Sequence, residues 1–94
     1  MNVVETEDFV RELKEILSYI AKDKKSAAIR FNKDLRKKIN DLKDFPFMYR
    51  ISIYFENENI RDLTHKGYTI PYEVDLENEI ISIIGITKHK KDLY

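Results

Sequence analysis

Ninety-four residues, 43% of them apolar and none of them cysteine, describe one small domain without a disulfide framework or a thiolate metal site. A chain of this size buries about 60–65% of its unfolded surface, so its stability alone is modest and a partner adds to it. The segment Met1-Asn2-Val3-Val4-Glu5 carries no basic run before an apolar one, and nothing approaches the roughly 20 apolar residues of a membrane helix. The expectation is a soluble cytoplasmic protein with no membrane partner.

Formal charge is zero, yet it is unevenly spread. Eight Lys or Arg residues fall between Lys22 and Lys38, against Asp23 and Asp34. Lys88, His89, Lys90 and Lys91 form a second basic cluster, opposed by Asp92. Acid gathers at Glu5, Glu7 and Asp8, at Glu56 and Glu58, and from Glu73 to Glu79. Phosphates respond to local fields, so a neutral total permits nucleic-acid contact while arguing against a generic RNA binder.

After the short apolar pair Val3-Val4, Thr6 is a fair N-cap, with Glu7 and Asp8 placed to complement a helix dipole. Phe9, Leu13, Ile16, Leu17 and Ile20 recur at helical spacing. The polar run from Lys22 to Lys25 breaks the pattern, and Asp23 or Ser26 is placed to cap a second helix. Ala27, Ala28, Phe31, Leu35, Ile39 and Leu42 form the stripe of that helix, which Pro46 ends. Two such helices read as an antiparallel hairpin.

From Tyr49 the period changes. Residues 50–55 alternate, as an edge strand or an ordered loop. Residues 60–64 are a short strand, and His65-Lys66-Gly67 a turn in which Gly67 takes a positive φ. Residues 68–74 are a strand whose Pro71 cannot donate to a ladder, so an unpaired side or bulge is expected there. Residues 79–86 are the most apolar strand and the expected sheet centre. The sum is an α+β domain over residues 1–94: a short strand, a helix hairpin, then a small antiparallel sheet, in the order β-α-α-β-β-β. Its core should hold Phe9, Leu13, Ile16, Leu17, Ile20, Phe31, Leu35, Ile39, Ile81, Ile83 and Ile84.

This order, with several local strings, resembles the RelE/ParE superfamily, the toxins of bacterial type II toxin–antitoxin pairs. The strings are Tyr19-Ile20-Ala21, Ala27-Ala28 and Phe31 in the hairpin, then Arg61-Asp62-Leu63 and Gly67-Tyr68-Thr69-Ile70-Pro71-Tyr72-Glu73-Val74. Ile81-Ser82-Ile83-Ile84-Gly85-Ile86 and the basic Lys88-His89-Lys90-Lys91-Asp92-Leu93 complete the likeness. The resemblance implies a growth inhibitor silenced by a cognate antitoxin that wraps it. It also implies two candidate targets. RelE-like members enter the ribosome and cut messenger RNA; ParE-like members share the fold, poison DNA gyrase and lack the nuclease residues.

Cleavage by a ribose 2′-OH needs a proton acceptor, a proton donor and cations for the phosphorane charge. On the RelE-like pattern, Lys88, Lys90 and Tyr94 fall where that set would lie, with Arg61 close to it. Thr69 stands where the family's strand arginine would be, and Ile60 and Asp62 where its strand lysines would be. Losing those cations leaves enzyme status open and tilts the expected target from a ribosome-dependent endoribonuclease reaction toward gyrase. A non-toxic orphan binding module is the further alternative. The resemblance places target binding on Lys88, His89, Lys90 and Lys91, and charge places an acidic antitoxin segment on Arg30, Lys33, Arg36 and Lys37. The bland readings stand beside these: a solvated tail, a frayed terminal Tyr94, surface histidines at 65 and 89, and core tyrosines at 68 and 72. Neither glycine lies in a phosphate-cradling loop and no metal-ligand spacing occurs, so no cofactor or metal is expected.

Overall fold

Thr6 begins the helical layer. In the computed structural model, which describes residues 1–88, its backbone is extended (φ −69°, ψ 159°) and its hydroxyl oxygen accepts the Phe9 N–H at 3.2 Å. That is an N-cap, reinforced by Glu7 and Asp8 in the first turn. Strand β1 (Asn2–Glu5) precedes it and helix α1 (Glu7–Asp23) comes next. One extended residue, Lys24, separates α1 from α2 (Lys25–Asp41) and serves as the N-cap of α2 with no side-chain hydrogen bond. Neither Asp23 nor Ser26 caps α2, because the helices meet too abruptly for either to occupy the cap position. The second helix ends at Asp41, five residues before Pro46, and unwinds through tight turns at 42–45.

Strands β2 (Ile60–His65), β3 (Tyr68–Asp75) and β4 (Ile80–Ile83) form an antiparallel meander, and β5 (Thr87–Lys88) returns to β3. Lys66 (φ 47°) and Gly67 (φ 84°) make the two-residue β2–β3 turn, whose paired positive φ angles suit the strand twist. The sheet order is β1-β4-β3-β2, with β1 parallel to β4. The sheet is therefore mixed, where a purely antiparallel one was expected. Thr6 supplies the reason: its N–H donates to the Ile83 carbonyl at 3.2 Å, and its hydroxyl lies 2.8 Å and 3.0 Å from the carbonyls of Ile83 and Ile84. The end of β1 is thereby held beside the end of β4, which aligns the two strands in one direction.

The most apolar strand lies inside the sheet but is shorter than its sequence pattern. Between the pairs Tyr72↔Ile83 and Thr69↔Thr87, three residues (Ile84, Gly85, Ile86) oppose two (Ile70, Pro71). One extra residue is a bulge, and it falls at the proline expected to interrupt the ladder. The Pro71 carbonyl still accepts the Ile84 N–H at 2.9 Å.

Phe9, Leu13, Phe31, Leu35 and Ile39 pack onto Leu63, Ile70, Tyr72, Val74, Ile81 and Ile83. Ile16, Leu17 and Ile20 pack against this core from the second half of α1 but are only half-buried; Ile84 is half-buried because it comes after Ile83 and turns to the other face. Residues 50–53 run along the outer edge of β2, where Ile51 bridges Arg61 and Asp62 accepts the Ile53 N–H. The alternation of residues 50–55 thus yields a single bridge, and it leaves Ile51, Ile53, Tyr54 and Phe55 exposed. Among the described residues no helix is long and apolar enough to cross a membrane. A Thr6→Val variant keeps shape and the backbone link to Ile83, and removes the side-chain cap and the hydroxyl contacts with β4. It should lose about 2 kcal/mol or more, combining a cap of about 1 kcal/mol with stranded polar partners, read as a lower urea midpoint with unchanged circular dichroism.

Candidate functional site

Two surfaces carry the charge that the sequence singled out. The first is the end of the sheet at β5. Lys88 pairs with Tyr68, so both side chains stand on the helix side of the sheet. There a groove of about 390 Å³ opens between α1 and the sheet, lined by Glu12, Glu15, Tyr19, Tyr68 and Lys88 among others. Tyr68 itself packs edge-on to Phe31, with ring centroids 5.5 Å apart. His89, Lys90, Lys91 and Tyr94 lie outside the described residues.

Arg61 does not join this surface. It pairs with Tyr72, four residues along β3 from Tyr68 and on the opposite flank of that strand. Strand geometry puts it more than about 15 Å from Lys88. Its guanidinium lies 4.8 Å from the Phe47 ring centroid and donates to the carbonyls of Glu58 and Tyr49, each at 3.1 Å. Those contacts pin the loop after α2 and leave Arg61 poorly placed to meet a phosphate. Asp62 is buried and holds Ile53, and Thr69 is buried within β3. Tyr72 is fully buried, its hydroxyl donates to the Pro46 carbonyl at 2.7 Å, and burial pushes its pKa up to about 12. It remains a protonated structural phenol, in line with its reading as core.

The second surface is α2. Arg30, Lys33 and Lys37 are exposed at a spacing that puts them along one side of the helix. Arg36 is different: it pairs with Glu5 and lies 5.8 Å from the Phe9 ring centroid, which ties α2 to β1. Beside the basic stripe, Leu17, Ala21, Ala28 and Ile29 line a largely apolar groove of about 320 Å³ between the helices. Ile29 is 62% exposed, an unusual setting for a large apolar side chain beside such a groove.

His65 is the clearest departure from expectation, for it is buried rather than on the surface. Its place on β2 two residues after Leu63 carried that signal, since alternation puts both on the helix side. The Nε2–H donates to the Phe31 carbonyl at 3.2 Å, the ring lies edge-on to Phe31, and Nδ1 has no partner among the described residues. Burial first, then the charge of Lys38, lowers its pKa below the usual 6.5. Among the described residues no three His, Cys, Asp or Glu side chains are grouped to hold a metal.

A family model described as the ParE toxin of type II toxin-antitoxin system, parDE, matches residues 3–93. The chain is similar in structure to one described as the chromosomal ParDE TA system from P. aeruginosa, with a TM-score of 0.77, 20% sequence identity, and coverage of 96% of this chain and 97% of that one. At that identity the structural likeness speaks for the fold. Among curated proteins none matches the chain.

The buried histidine makes stability pH-dependent. Above about pH 6.5 the ring is neutral in both folded and unfolded chains, and its contribution is complete. As pH falls below 6.5 the unfolded chain takes up a proton that the folded chain resists, so stability declines toward the lower folded pKa. The urea midpoint should fall between pH 7.5 and 5.5, and the fall should be clearly smaller in His65→Gln, whatever that variant's own stability.

Proposed function

We propose that this chain, which belongs to the ParE toxin family of type II toxin–antitoxin systems, arrests growth by inhibiting DNA gyrase and is silenced by a cognate antitoxin. The observation that carries the choice of target is the setting of Arg61. A ribonuclease needs cations converging on one phosphate, each well-placed donor being worth about 2.7–4 kcal/mol in the transition state. Here Arg61 is committed to two carbonyls and a ring, far from Lys88, while Thr69 and Asp62 occupy strand positions where cations would be needed. Inhibition by binding has no such requirement. It needs an accessible surface, which exposed Lys88 begins and His89, Lys90 and Lys91 continue in sequence.

The antitoxin surface is the α1–α2 groove with its basic border. An acidic, amphipathic segment that folds on binding would put apolar side chains against Leu17, Ala28 and Ile29 and carboxylates near Arg30, Lys33 and Lys37. Arg36 strengthens this face by anchoring α2 through one guanidinium nitrogen, and its partly exposed remaining N–H groups border the same surface.

Induction of the chain alone should stop growth, and coexpression with the short protein encoded beside it should restore it. The purified chain should inhibit gyrase supercoiling while messenger 5′ ends stay unchanged. Codon-phased cuts on translated messages with supercoiling untouched would replace gyrase with the ribosome as target. Harmless induction in several hosts would leave a non-toxic binding module. The double variant Arg30→Glu/Lys33→Glu should stay toxic but bind antitoxin about tenfold or more weakly, as expected for reversing charges at an interface.

A further inference from the structure

The bulge in the sheet is closed by a residue from the helical layer. The Ile86 N–H, inside the interruption between β4 and β5, donates to Glu12 Oε1 at 3.1 Å. Glu12 lies midway along α1, is half-buried, and forms no ion pair among the described residues. To reach Ile86 its carboxylate passes directly over Gly85, which is buried. A Cβ on residue 85 would stand 2.7 Å from Glu12 Oε1, closer than real contacts allow, and it would meet nothing else within 4 Å but the Glu12 Cδ. Gly85, unlike Gly67, is not at a positive φ, so space rather than backbone torsion requires the glycine. Glu12 and Gly85 are thus two halves of one contact.

The contact sits where it controls direction. A one-residue bulge bends and twists a strand, and β5, only two residues long, has little pairing of its own to oppose a change of angle. Glu12 and Lys88 also line the same groove, so the carboxylate that holds Ile86 faces the space beside the last described cation. We propose that Glu12 is a positioning residue, which through the gap left by Gly85 fixes how β5 leaves the sheet and so presents Lys88 to the target. The inference rests on the reading of Lys88 as part of the target-binding element.

Growth arrest on induction tests it without regard to which target is inhibited, alongside amide exchange of the purified chain. Glu12→Ala should speed exchange at Ile86 by about tenfold or more, as loss of a hydrogen bond to a charged acceptor predicts, while Ile81 and Val74 are unchanged. Growth arrest should weaken in step, with antitoxin affinity retained. Glu12→Gln keeps an oxygen acceptor and should restore both readouts. Gly85→Ala should behave like Glu12→Ala by displacing the carboxylate, and the double variant should be no worse than either single one. An Ile86 amide that stays protected in Glu12→Ala overturns the proposal. So does full growth arrest in Glu12→Ala under conditions where Lys88→Ala weakens it. Failure of the underlying reading looks different: Lys88→Ala would then arrest growth as well as the unaltered chain does.

Discussion

The position of Thr6 constrains the rest of the molecule. One side chain caps α1 and also ties the chain to the carbonyls at the end of β4, so the helical layer and the sheet share a common origin. Because β1 ends at that point, its four residues align parallel with β4. Because α1 starts there, Phe9 and Leu13 enter one buried core with Ile81 and Ile83, which Phe31, Leu35 and Ile39 of α2 share with Leu63, Ile70, Tyr72 and Val74. The hairpin needs no long loop, since one extended residue reverses it.

Charge in this chain divides by role. Arg36 with Glu5, and Arg61 with two carbonyls and Phe47, join separate segments and act as structural residues. Lys38 donates to the Thr64 carbonyl and Lys66 faces Asp34 across 3.6 Å, both near the β2–β3 turn. Exposed pairs of that kind add little stability. Accessible cations include the stripe of Arg30, Lys33 and Lys37 on one side of the molecule and Lys88 at the exit of the sheet. A neutral protein can present local basic surfaces in this way, and beside Lys88 the carboxylates of Glu12 and Glu15 share the groove.

Much of the architecture is legible in the sequence. The stripes from Phe9 and from Ala27 predicted both helices, since each repeats an apolar residue every third or fourth position and can bury only that side. Pro71 predicted the break in the ladder beside it, between β4 and β5, because a residue without an N–H cannot donate to a neighbouring strand. Gly67 predicted the tight turn for an equally local reason. The burial of His65 follows from the alternation along β2, which puts it on the helix side with Leu63. The resemblance to the toxin family, resting on strings spread along the chain, led to the family that the match over residues 3–93 establishes.

Other features were beyond local pattern. The direction of β1 beside β4 depends on a hydrogen bond between residues 77 positions apart, and the same four residues would alternate identically in an antiparallel pair. The fate of Arg61 depends on Phe47 and Tyr49, in a loop whose path no periodicity describes. Glu12 reads in sequence as one more solvent-facing acid on a helix, and Gly85 as a small residue in an apolar strand. Only the packing of α1 over the bulge brings these two distant positions within reach of each other. The sequence by itself determined most of the apolar core and where the chain must turn, since both depend on side-chain chemistry and backbone freedom at each position. The tertiary structure alone decided which charges are free to meet a partner, since a charged group is committed or available according to neighbours that the fold brings to it.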